Sequence, residues 1–173
     1  SSPHTWYSLE YSPSVAMPIT DVSVATTTSG SPTVTGLTAT MKLIPGMEVT
    51  GTGIPGGTTI SACVTTTSIT LSANATATGG TTLTFKIPAN KNVDVFCFDS
   101  AGTPTFRFGN LWTNDTTRAD GIDPADGIPV NSTAITVGGA YTIAQYAGTY
   151  LGTVRTTATA GQTEDSATKR FIW

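Results

Sequence analysis

Charged side chains make up only 11% of this 173-residue chain, where a globular domain usually carries about a quarter. The 8 lysines and arginines are scattered through a sequence of net charge −3. That excludes the basic stripe needed to bind nucleic acid or an anionic membrane surface. No apolar run approaches the roughly 18–20 residues of a transmembrane helix, so no membrane insertion of that kind is expected. Histidine occurs once, at His4, and cysteine twice, at Cys63 and Cys97. A Ser-His-Asp or Cys-His centre would have to use His4, and a chain terminus seldom supplies a rigidly placed base. Two cysteines and one histidine at these spacings form no zinc signature. The expectation is a chain with no catalytic residue, no metal and no cofactor. Ser1 is preceded by neither an initiating Met nor a signal peptide, which reads as a fragment or processed chain.

Threonine takes the place of charge, with 37 copies beside 18 glycines and 10 prolines. Its β-branch is stiff and suits a pleated strand, and its hydroxyl faces water without ionising. Apolar and hydroxyl residues alternate in Thr33-Val34-Thr35, Ser68-Ile69-Thr70-Leu71-Ser72, Thr82-Leu83-Thr84-Phe85, Thr105-Phe106-Arg107-Phe108, Ala134-Ile135-Thr136-Val137 and Tyr150-Leu151-Gly152-Thr153-Val154. Val93 to Phe98 is apolar on both faces apart from Asp94 and reads as a doubly buried strand. Turn signals such as Ile44-Pro45-Gly46, Ile54-Pro55-Gly56-Gly57 and Ser100-Ala101-Gly102-Thr103-Pro104 separate the runs. The fold class expected is all-β, built of antiparallel β-sandwich or jelly-roll-like units with little helix. Short helical turns are expected only at 143–147 and 163–169.

Residues 24–85 differ from their flanks. Glu48, Lys42 and Cys63 are their only ionisable side chains, and Phe85 is their only aromatic. This stretch reads as a Thr/Gly-rich module of four to six short strands. Two arrangements fit. The module is inserted into a second, aromatic-containing unit made of residues 1–23 plus 86–173, or the whole chain is one continuous sandwich.

Few residues carry chemistry. Asp120, Asp123 and Asp126 recur in a Gly/Pro loop, and oxygen-rich loops bind calcium. The spacing is not that of an EF-hand, however, and Asp-Gly pairs are ordinary turn formers. Glu10, Glu48, Glu164 and Asp165 are too scattered to place two carboxylates for glycoside hydrolysis. Trp112, Tyr141, Tyr146 and Tyr150 are the candidate glycan or interface contacts, because exposed aromatics stack on sugars and dominate interfaces. The competing role for the same rings is the core of the aromatic unit.

Three blocks then stand out: Val93-Asp94-Val95-Phe96 with Asp99-Ser100-Ala101-Gly102-Thr103; Trp112-Thr113-Asn114-Asp115-Thr116-Thr117-Arg118; and Tyr150-Leu151-Gly152-Thr153-Val154-Arg155-Thr156-Thr157 with Gly161-Gln162-Thr163-Glu164-Asp165-Ser166 and Lys169-Arg170-Phe171. In this order they resemble a family of tailed-bacteriophage fibre or appendage proteins over residues 87–173. The 24–85 stretch is similar to a β module of phage virion proteins. The connection between Arg118 and Tyr150 is longer than the family pattern, which also runs on beyond Trp173. The resemblance implies a non-enzymatic virion structural subunit that assembles with copies of itself, a trimer being the usual fibre arrangement, and with other virion proteins. The alternative it implies is a receptor-binding module at a fibre tip, with a host surface glycan as partner. Cys63 and Cys97 are expected as buried thiols; a disulfide between them would suit a secreted adhesin instead.

Overall fold

The computed structural model describes residues 20–124, 127–136 and 141–163. Every strand pair is antiparallel, and among the described residues there is no helix, so the fold is all-β. Residues 20–86 form six strands: β1 (Thr20–Thr27), β2 (Thr33–Val34), β3 (Glu48–Gly51), β4 (Ile60–Thr65), β5 (Ser68–Leu71) and β6 (Gly79–Lys86). They make two three-stranded sheets, ordered β1-β6-β3 and β2-β5-β4.

Both seams between these sheets are closed by backbone hydrogen bonds. On one side Thr26 and Thr35 exchange bonds of 2.7 and 3.0 Å. On the other Gly46 N donates to Ile60 O at 2.8 Å, Ile60 N to Met47 O at 2.8 Å, and Val49 N to Thr58 O at 2.9 Å. The result is a small flattened barrel, an arrangement that leaves few strand edges unpaired. Its interior holds Val34, Leu43, Ile44, Met47, Ile60, Ile69, Leu83 and Phe85, each at most 1% exposed. The usual alternation is reversed in β1. Ser23, Ala25 and Thr27 point inward, whereas Val22 and Val24 are 58% and 66% exposed.

The chain leaves the barrel at Lys86, directly opposite Thr20, where it entered. It then builds β7 (Asn92–Ser100), β8 (Thr103–Leu111), β9 (Ile122–Asp123), β10 (Val130–Asn131), β11 (Ile135–Thr136), β12 (Thr142–Ile143) and β13 (Gly148–Arg155). Five of these form a sheet ordered β8-β7-β13-β10-β9, and β11 and β12 form a separate hairpin. Among the described residues no sheet shares strands between 20–86 and 92–155. Their apolar cores are nevertheless continuous, Phe85 and Ile87 belonging to the same buried cluster as Val93 and Phe96. At the junction Gly46, at φ 90°, lies so close to the Leu111 side chain that an added Cβ would sit 2.7 Å from it. Thr20 Oγ1 also reaches Gly161 O at 3.3 Å.

The β7–β8 hairpin turns through Ala101 and Gly102, both at positive φ (53° and 86°), the pairing that matches strand twist. β13 carries a bulge between Tyr150 and Gly152, leaving Leu151 as the extra, exposed residue. The helical turn expected at 143–147 is a single reverse turn instead, with Ala147 N on Ala144 O at 3.1 Å. Tyr146 there adopts φ 62°, which breaks a right-handed helix, and Asn131 claims the Ala144 carbonyl. Most of the one expected at 163–169 lies outside the described residues.

Candidate functional site

An aspartate in the middle of an apolar strand must find a cation or lose its charge. Asp94, on β7, is 1% exposed. Its Oδ2 lies 3.2 Å from Arg118 Nε, and its Oδ1 accepts a 2.5 Å bond from Thr153 Oγ1 on the adjacent β13. Thr153 has spent its one proton on Asp94, so Tyr150 OH donates to Thr153 across 2.8 Å. Arg118 Nη2 in turn donates to Tyr150 OH at 3.0 Å. The four side chains close a ring of three hydrogen bonds and one ion pair, the Asp94 Oδ2 that faces Arg118 accepting no hydrogen bond. The guanidinium also lies 5.0 Å from the Trp112 ring centroid and 5.1 Å from that of Tyr150, within cation–π range of both. Tyr150 meets buried Phe96 edge-on at 6.0 Å.

Arg118 and Trp112 stand at the two ends of a loop that follows β8. Trp112 N donates to Asn92 O at 3.0 Å, and Thr113 N to Thr117 O at 3.1 Å. Asn114 Oδ1 accepts from Thr116 N at 2.9 Å, an Asx turn that sets the loop's curvature. The tip is held by Asp115, paired with Arg155 on β13 at 2.9 and 3.2 Å, while Arg155 also donates to Asn92 at 3.1 Å. The Arg155 hydrogen bond holds the Asp115 carboxyl below its ordinary value of 3.8. Both partners are well exposed, so this outer pair adds registration more than stability. The loop is thus clasped to β7 and β13 at two points, one buried and one at the surface.

A second buried charge sits on β8. Arg107, between Phe106 and Phe108, is 1% exposed. It donates to Tyr141 O at 2.6 Å, and its guanidinium lies 5.4 Å from the Tyr141 ring centroid. Burial lowers Arg107 to about 10. Burial also pushes the Cys63 thiol up to about 11, against the opposing pull of the Arg107 charge. Cys63 Sγ lies against Leu43 O at 3.6 Å, and both Cys63 and Cys97 are free thiols. Nearby, fully buried Asn131 donates to Thr133 O at 2.8 Å and Ala144 O at 2.7 Å, and accepts from Gly148 N at 2.7 Å. It ties β10 to the turn before β13.

Asp120 turns both carboxylate oxygens onto Asn110, accepting from its backbone N at 2.6 Å and its Nδ2 at 2.7 Å. It therefore covers part of the edge of β8. Asp123 lies in β9, and Asp126 lies outside the described residues, as do His4, Glu10, Glu164 and Asp165. Among the described residues no group of three metal-ligating side chains occurs. Burial raises the Asp120 carboxyl above its ordinary value of 3.8, opposed by its bonds to Asn110. Its contribution to stability is then fully present below 3.8 and lost as pH rises through the folded value. In urea denaturation between about pH 3 and 6, the wild type is expected to lose stability relative to Asp120→Asn as pH rises. A difference that stays constant over that interval would contradict this.

The four aromatics singled out by sequence do not form one site. Trp112 and Tyr150 come together, but each gives a ring face to Arg118. Tyr141 stacks on Arg107 elsewhere. Tyr146 is 56% exposed and alone. Sequence reasoning did not assign roles to Asp94, Arg107, Arg118 or Asn131. The signal for the first two was present, since each is a lone charge in an otherwise apolar strand run. A recess of about 530 Å³ opens beside Val24, Ala77, Thr81 and Thr82, and among the described residues no acid, base or thiol lines it. Comparison with family models, curated proteins and solved structures gives no match for this chain.

Proposed function

We propose that this chain is a structural subunit of a tailed-phage virion, a fibre, spike, collar or capsid-decoration component. It works without catalysis and assembles with copies of itself, in a trimer, and with other virion proteins. The observation that carries the reading is the convergence of the three blocks that resemble phage fibre and appendage proteins. Asp94 comes from the first block, Trp112, Asp115 and Arg118 from the second, and Tyr150, Thr153 and Arg155 from the third. They meet in one clasp. These residues hold the sheet and the loop together, which supports reading the three blocks as one structural unit.

The chemistry of the clasp supports a structural role. Both of its acids, Asp94 and Asp115, are paired with an arginine and its hydroxyls are hydrogen-bonded, while Asp94 Oδ2 and Trp112 Nε1 are buried without a hydrogen-bond partner. The charge-poor surface favours contacts that salt does not weaken. A glycan-binding tip module is the other reading, and among the described aromatics Tyr146 is the exposed ring it would use. Arg118 already occupies ring faces of Trp112 and Tyr150 on which a sugar would stack. Light scattering at micromolar concentration is expected to give three times the monomer mass, unchanged between about 0.05 and 1 M salt. A monomer under all these conditions would overturn the assembly reading. Glycan-array binding abolished by Tyr146→Ala would replace it with the tip module.

A further inference from the structure

We infer that copies of this chain meet through the outer face of the β1-β6-β3 sheet; this rests on the self-assembling reading above and names its contact surface. Cross-strand partners share a face, so the register places Val22 beside Thr84 and Val24 beside Thr82. Val22 and Val24 are 58% and 66% exposed, neighbours two apart on one strand, with hydroxyls rather than charges around them. β-Branched apolar side chains placed outward while alanine and serine face the core indicate an outer surface built for an apolar partner.

The end of the face shows what that partner is. Lys86 pairs in register with Glu48 of β3 on one side and Thr20 of β1 on the other. Adjacent and opposite in sign, Lys86 and Glu48 still make no ion pair with each other. A partner therefore has to be uncharged over the valines and to bring one acid and one base to this end. A second copy of the same face does both. Around a rotation axis the valines of neighbouring copies turn inward, and Lys86 of each copy meets Glu48 of the next. A nucleic acid, a membrane or a strongly charged protein fits neither half of this pattern.

The test compares full-length variants by light scattering and by circular dichroism melting. Val24→Lys puts like charges together at the centre of the contact and is expected to raise the dissociation constant about 100-fold, giving monomers at micromolar concentration that keep the wild-type circular dichroism spectrum and a cooperative melt, at a midpoint lowered only by the loss of assembly. Leu151→Lys, at an exposed apolar residue on β13, is expected to leave the mass unchanged. Lys86→Glu is expected to weaken assembly, and adding Glu48→Lys to restore it, which tests the face without touching the valines should Val24→Lys disturb folding. A wild type that assembles, with Val24→Lys folded and assembling equally well, overturns this surface alone, as does a double charge swap that fails to rescue Lys86→Glu. A monomeric wild type overturns the assembly reading itself.

Discussion

Asp94→Ala is expected to lower the unfolding free energy by about 2–3 kcal/mol, because it removes one partner of a buried charge pair. The figure lies below the 3–5 kcal/mol usual for fully buried pairs because Arg118 is 38% exposed on its side chain and can rehydrate. Three changes act together. Thr153 loses the acceptor of its proton, Tyr150 loses the orientation of its hydroxyl, and the guanidinium between Trp112 and Tyr150 loses its counter-charge. Because the same side chains are shared, the losses do not add. A double-mutant cycle with Arg118→Ala is expected to give a coupling of about 1–2 kcal/mol. Chemical denaturation at one fixed protein concentration measures it, since dissociation otherwise enters the apparent stability. Coupling below about 0.5 kcal/mol would mean that the loop is held by the aromatic contacts and not by the Asp94–Arg118 pair.

Asn131→Asp is expected to be the more damaging change, by about 3–5 kcal/mol, although it alters one atom of the side chain. The Asn131 amide group donates to two carbonyls at a fully buried position. A carboxylate in its place would face both carbonyl oxygens with no proton to offer and no access to water. Asn131→Ala leaves the same carbonyls and the Gly148 N–H unpaired but introduces no charge, so it is expected to cost less, about 2–4 kcal/mol. Urea denaturation of the two variants decides the matter. An aspartate variant within 1 kcal/mol of the wild type would show that the site relaxes open and that Asn131 does not organise the turn before β13. A turn that opens would also shift Tyr146, whose φ of 62° is held by its N–H on Asn131 O at 2.9 Å.

The all-β character was legible because it rests on local chemistry. Threonine disfavours helix wherever it occurs, and alternation in Ser68–Leu71 or Gly79–Lys86 needs no knowledge of the partner strand. Closure of the barrel was not legible. It depends on Thr26 meeting Thr35 and Glu48 meeting Thr59, pairings that register decides and composition does not. The inverted pattern of β1 was hidden for the same reason, since a Val-Ser-Val-Ala run looks like any strand until the face that meets the core is known. For the site, the buried charges were visible as breaks in apolar runs, but their partners were not. Nothing near Asp94 in sequence names Arg118. The aromatics were selected as exposed rings, and three of the four turned out to serve guanidinium groups of the same chain.

β1 begins where β6 ends, so the polypeptide re-emerges from the barrel one strand spacing, about 5 Å, from where it went in. A single cross-strand pair, Thr20 with Lys86, fixes both points of attachment. Loops between them that lie away from the Gly46–Leu111 contact and from the outer face of the β1-β6-β3 sheet can change in length without shifting the anchor on either side. The two chain connections thus act as one doubled stem, so a change of loop length in the barrel leaves the path of the strands that follow unaltered.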